Sequence, residues 1–151
     1  MADVEREERH VTGRVAAPAS PRRDPRLLAA IFFGGALGAG ARAAVAHAFP
    51  DAAGGWPWAT FALNVGGSAL LAFFATRLQE RLPPSLYKRP LLGTGICGAL
   101  TTFSTLQLEV VKLGRDGHAL LAFAYVSASV GAGLAMLFGV SWLTRRASYM
   151  R

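Results

Sequence analysis

The chain has 151 residues, 52% of them hydrophobic, and a formal net charge of +7. Such an excess of cations suits a nucleic-acid binder when it forms a face, but here the cations flank long apolar stretches, so membrane topology accounts for them and no nucleic-acid partner is expected. Cys97 is the only cysteine, which excludes an internal disulfide and leaves a zinc or redox motif without support.

Residues 1 to 26 mix both charge signs with prolines and hold too little apolar surface for a core, so they read as a disordered cytoplasmic tail. Residues 27 to 146 form one four-helix domain, with spans expected at about 27–49, 56–78, 91–112 and 119–143. Each is long enough for the roughly 18 to 20 apolar residues of a bilayer crossing. The first span, preceded by PRRDPR and holding Ala46-His47-Ala48 near its end, also resembles a signal peptide with a small-residue cleavage site. Arg42 fits an apolar signal core poorly, and an uncleaved first helix is the better reading.

Gly54 and Gly55 mark the turn into span two, where Pro57 suits the first helical turn. A polar, proline-broken loop, QERLPPSLYKRP, separates spans two and three, and LGRDGH separates three and four. Connections this short force antiparallel neighbours. Gly34 with Gly38, and Gly131, Gly133 and Gly139, read as close helix contacts. Cations fix the orientation. Arg14, Arg22, Arg23, Arg26, Arg77, Arg81, Lys88, Arg89, Arg145, Arg146 and Arg151 lie on the tail side, against Lys112 and Arg115 on the other. The asymmetry predicts cytoplasmic termini in a multi-pass protein of the inner or plasma membrane.

Polar groups at membrane depth are functional candidates, because leaving one unpaired in hydrocarbon is costly. They are Arg42, Asn64, the hydroxyls Thr101, Thr102, Ser104 and Thr105, and Tyr125 with Ser129. No Asp or Glu lies within an expected span, Glu109 standing near the end of the third. That absence counts against a small multidrug or cation exporter, which needs a carboxylate to bind substrate and proton in turn. Neutral donors with one fixed cation suit an anion instead: hydroxyls and the Asn64 amide can donate to it, and the positive ring edge of Phe103 can join them. Glycines 93, 95 and 98 permit a break in span three. A break frees carbonyl oxygens, which favour a hard cation such as Na⁺. A non-conducting membrane subunit, with the hydroxyls as interhelix glue, is the remaining alternative. Enzymatic activity is not expected: His10, His47 and His118 lie in the tail or near span ends, and no nucleophile pairs with a base.

Three segments carry a family resemblance: GGALGAGAR at 34–42, WATFALNVGGSALL at 58–71 and, most specific, GTGICGALTTFST at 93–105. Together they make residues 27 to 143 resemble the Fluc, or CrcB, family of fluoride channels. The resemblance implies an all-α membrane protein with four transmembrane helices and a break in the third, assembled as an antiparallel dimer with two pores. It implies passive, fluoride-selective export and a structural Na⁺ held by the carbonyls of Gly98 and Thr101. The resemblance maps fluoride contacts onto Asn64, Phe103, Tyr125 and Ser129 and the first-helix arginine, in the vestibule or structural, onto Arg42; the donor chemistry adds Thr102, Ser104 and Thr105 to the pore.

Leu106 departs from the pattern by standing where the family usually has a second phenylalanine, and Ala59 and Ala99 stand where glycine is common. A homodimer of inverted subunits needs a chain that inserts both ways. The Lys/Arg asymmetry instead leads us to expect one orientation and an inverted, related partner, with a homodimer as the alternative.

Overall fold

The computed structural model describes residues 24–52, 54–80 and 86–149. Most of the expected tail, residues 1–23, lies outside the described residues, and Pro25 and Arg26 already belong to the first helix. Helix α1 is Pro25–Ala48. It starts there because the Asp24 side chain accepts from the Arg26 N–H at 2.9 Å, and Pro25 takes a first-turn position where its missing donor costs nothing. The Tyr87 hydroxyl donates to the other Asp24 oxygen at 2.9 Å, pinning the start of α1 beside the segment that leads into span three.

Gly54 turns the chain towards α2, Trp58–Glu80, with φ of 68° that L side chains rarely adopt. Pro57 stands one residue outside α2, and its carbonyl accepts from Phe61 at 3.1 Å. The third span is composite. Helix α3, Pro90–Cys97, has the wide turns of a π-helix; α4 is the single turn Gly98–Leu100; α5 is Phe103–Arg115. Helix α5 closes with a Schellman motif: His118 N–H returns to the Leu113 carbonyl at 2.8 Å and Gly117 N–H to Gly114 at 3.3 Å. Gly117 supplies the required φ of 84°. Only residues 116–118 then separate α5 from α6, Ala119–Tyr149.

Among the described residues, four helical segments are long and apolar enough to cross a membrane: Pro25–Ala48, Trp58–Leu78, Pro90–Arg115 and Ala119–Ala147. This all-helical, four-span architecture agrees with the sequence expectation. Helices α1 and α3–α5 run one way, α2 and α6 the other. One end therefore gathers Arg26, Arg77, Lys88, Arg89, Arg145 and Arg146, and the opposite end Lys112 and Arg115. The Arg146 guanidinium lies 5.1 Å from the Trp142 ring centroid, an aromatic and a cation together at the level of an interface.

Backbones approach most closely between α1 and α3. A Cβ on Gly34 would collide with the Leu91 carbonyl oxygen, one on Gly38 with that of Ile96, and one on Gly95 would sit 2.9 Å from the Gly34 Cα. The packing read into Gly34 and Gly38 is present. In α6 it holds for Gly133, which faces Ser68 Oγ at 3.4 Å, whereas Gly131 and Gly139 face open space in the described chain. Leu106, Leu113, Ala122 and Tyr125 form a buried cluster among the described residues, with Trp56, Phe61 and Val110 against it. Phe32, Phe33, Leu37, Phe123 and Phe138 are exposed instead, as expected of side chains facing lipid.

Candidate functional site

The centre of the site is the two-residue interruption between α4 and α5. Thr101 has φ −80° and ψ 152°, and Thr102 has φ −148° and ψ 121°. Both are extended, a conformation that β-branched residues favour. The three glycines proposed to permit an irregularity do not form the interruption themselves. Gly98 has φ −64° and ψ −32°, ordinary helical values, and Gly95 serves close packing on α1. Positive φ is confined, among the described glycines, to Gly54 and Gly117.

The Thr101 N–H still closes the preceding turn on the Cys97 carbonyl at 3.1 Å, but the Thr102 backbone lies outside the ladder and its polar groups need other partners. Asn64 on α2 supplies them: the Thr102 N–H donates to Asn64 Oδ1 at 2.8 Å, and Asn64 Nδ2 donates to the Thr102 carbonyl at 3.0 Å. One side-chain amide thus acts as a strand neighbour for one residue. Gly67 permits this approach, because a Cβ there would collide with Thr101 Cγ2. Ser68 Oγ donates to the Asn64 carbonyl at 2.8 Å.

Carbonyls at the interruption lose their helical donors, those of Gly98 and Thr101 among them. In a continuous helix the Thr102 N–H would return to Gly98, but here it is on Asn64. The Thr105 N–H would return to Thr101, but it donates to Thr102 Oγ1 at 3.2 Å. Thr102 is therefore the N-cap of α5. Its hydroxyl also donates to Thr105 Oγ1 at 3.1 Å and lies 3.3 Å from Ser104 Oγ. Thr101 Oγ1 donates back to the Cys97 carbonyl at 3.0 Å.

Two turns along α5 lies a second polar cluster. Glu109 accepts from Thr60 Oγ1 and from the Tyr125 hydroxyl, each at 2.6 Å, joining α2, α5 and α6 through one carboxylate. Tyr125 is fully buried and its ring lies edge-on to Trp56, centroids 5.4 Å apart. Ser129, one turn further along α6, is buried, and its hydroxyl has no hydrogen-bond partner in the described chain. A cavity of about 400 Å³ opens beside Glu109, with Thr60, Thr105, Asp51 and Lys112 in its walls.

The sequence candidates therefore fall into separate groups. Asn64, Thr101, Thr102, Ser104, Thr105 and the Gly98 carbonyl surround the interruption; Tyr125 and Ser129 belong with Glu109. Phe103 opens α5 with its ring 67% exposed, while Leu106, one turn later, is 5% exposed and packs in the Tyr125 cluster. Arg42 is half-buried on α1, on the stripe that continues from Gly34 and Gly38.

Sequence reasoning missed Thr60 and Glu109. The expectation that no carboxylate lies inside a span fails: Glu109 falls within the expected 91–112 and lies inside α5, six residues before its end at Arg115. Helical spacing carried the signal: Thr60 precedes Asn64, and Glu109 follows Thr105, by four residues each, so each pair shares a helix face.

Comparison with known proteins matches residues 29–140 to the family described as CrcB-like protein, Camphor Resistance (CrcB). The chain is 54% identical to the fluoride-specific ion channel FluC 1 of Mycobacterium bovis over 87% of its own length and 99% of the relative's. It is 45% identical to FluC of Chlorobaculum tepidum, over 74% and 89% of the two chains. With FluC 1 of Streptomyces coelicolor it shares 36% identity over 88% of each. Matched over most of its four spans and by relatives of nearly its own extent, the chain belongs to the CrcB family.

Proposed function

We propose that the chain is a subunit of a fluoride-selective channel that lowers cytoplasmic fluoride by passive export. The observation that carries the reading is the Asn64–Thr102 pairing. It holds a span open at membrane depth and arranges neutral donors there, in a chain whose relatives are named as fluoride-specific channels.

The donor inventory suits a small anion. Asn64 Nδ2 bears two hydrogens, and one is committed to Thr102. The Thr102 hydroxyl gives its hydrogen to Thr105, so Ser104 donates into Thr102 and the Thr105 hydrogen remains for a ligand, at the wall of the cavity beside Glu109. The Phe103 ring edge adds an electropositive contact. Tyr125 and Thr60 are donors too, but both face Glu109, so an anion reaching Tyr125 competes with that carboxylate. Ser129 offers a buried hydroxyl beyond it, and Arg42 a fixed cation at the approach.

The carbonyls of Gly98 and Thr101, stripped of helical donors, fit a structural Na⁺, a hard cation bound through oxygen. When bound, the ion supplies a fixed positive charge between subunits. The residues hold their carbonyls ready whether or not it is there, through Asn64 and the Thr102 cap. Two subunits of opposite orientation would bring two such interruptions together in an antiparallel dimer with two pores.

The cation asymmetry between the ends favours cytoplasmic termini, and hence a related, inverted partner over a second copy of this chain. An inside-negative potential, worth about 2.3 kcal/mol per charge per 100 mV, then drives the anion outward. Fluoride efflux from liposomes tests the reading, with Asn64→Asp as the informative variant. A carboxylate at 64 repels an anion and faces the Thr102 carbonyl without a donor, so flux should fall at least tenfold, about 1.4 kcal/mol in the barrier. Wild-type flux in that variant would remove Asn64 from the path.

A further inference from the structure

The end of the bundle that gathers the cations also holds a cleft that the proposed channel does not use. It measures about 300 Å³ and lies between the last turns of α2 and the first turns of α3. Leu71, Phe74, Ala75 and Leu78 form one wall, Pro90, Gly93 and Thr94 the other, and Arg89 lines the end nearest the start of α3. Leu71 and Leu78 are seven residues apart, so the apolar wall runs about 10 Å along α2 at ~1.5 Å per residue. Both Leu78 and Pro90 are terminal residues of candidate membrane spans, which puts the Arg89 end at the interface and the slot in hydrocarbon.

A slot walled mainly by Leu, Phe, Ala and Pro, with the Thr94 hydroxyl the one neutral polar side chain among its lining, gives water few partners. A second feature selects the occupant: Arg89 is exposed at that end, and its planar fork matches a phosphate. An apolar groove ending in a fixed cation at the interface is complementary to an amphiphile with an anionic head. We propose that this cleft binds an anionic phospholipid, its phosphate on Arg89 and the first part of one acyl chain along Leu71, Phe74 and Leu78. A free phosphate would leave the apolar wall uncovered, and a lipid whose head carries a compensating cation would gain less from Arg89. The inference rests on the cleft alone and holds whichever ion the protein conducts.

Native mass spectrometry of the full chain in detergent, with phosphatidylglycerol or phosphatidylcholine added, tests it. The wild type should retain phosphatidylglycerol in preference, and Arg89→Gln should reduce that preference about fivefold, the weight of one interfacial cation on an anionic lipid. Ala75→Phe, which fills the slot, should reduce retention of both lipids. Inorganic phosphate in large excess should leave the lipid in place. An unchanged preference in Arg89→Gln overturns the proposal, as does displacement by inorganic phosphate. Undiminished lipid retention in Ala75→Phe with a smaller dimer fraction overturns it too, giving the cleft to a second copy of the chain. Arg89 is exposed, so its replacement leaves the fold intact and decides the charge preference even if Ala75→Phe does not fold.

Discussion

Asn64 answers two needs with one side chain: it satisfies the Thr102 backbone that the interruption leaves without helical partners, and it keeps one amide hydrogen over. Removing it in Asn64→Ala orphans a buried N–H and a carbonyl, at a cost of about 1–3 kcal/mol per unsatisfied group. A lowered unfolding temperature in detergent should report this. Glu109 is the other residue on which several helices depend. Glu109→Leu leaves the Tyr125 and Thr60 hydroxyls without an acceptor, whereas Glu109→Gln retains a carbonyl for one of them. The leucine variant should be the less stable by thermal melting, and equal stabilities would show that the two bonds contribute little. Phe103 and Leu106 separate packing from conduction. Leu106→Ala empties a core position and should cost about 2–5 kcal/mol. Phe103→Ile changes an exposed ring, so stability should hold while fluoride flux falls.

At the scale of the elements, the composite third span is set by its neighbours. The α1–α3 contact depends on glycine at 34, 38 and 95 because backbone carbonyls, not side chains, occupy the space a Cβ would need. Gly38→Val should therefore destabilise by about 1–3 kcal/mol or more, while Gly35→Ala, with nothing within 4 Å, should be neutral by the same melting measurement. The four spans were legible from the charge-free stretches, and the Gly34–Gly38 contact from its spacing. The location of the interruption was less so, because glycine marked flexibility while the extended residues are the threonines that follow. Extended threonines look, in sequence, like any polar helical residues. What distinguishes them is an amide 38 positions away, a pairing that local pattern cannot reveal. Glu109 lay inside the expected span but was discounted for standing near its end; what marks it as a bundle residue is its pairing with Thr60 and Tyr125 on two other helices, which local pattern cannot reveal either.

For the whole molecule, the separation of cations between the two ends and the donors around Asn64 argue for a membrane protein that inserts one way and moves an anion. A reporter fused at Arg151 should therefore be active only on the cytoplasmic side. An even split between orientations would favour a homodimer of inverted copies over a related partner. The central claim is fluoride conduction. It is tested most directly by fluoride efflux from liposomes holding the purified protein, alone and co-purified with a related CrcB-family subunit. Fluoride should be released rapidly with chloride retained, and Asn64→Asp should suppress the release. No fluoride release from either preparation, with the protein folded and inserted, would contradict it and leave a membrane subunit whose buried hydroxyls only hold helices together.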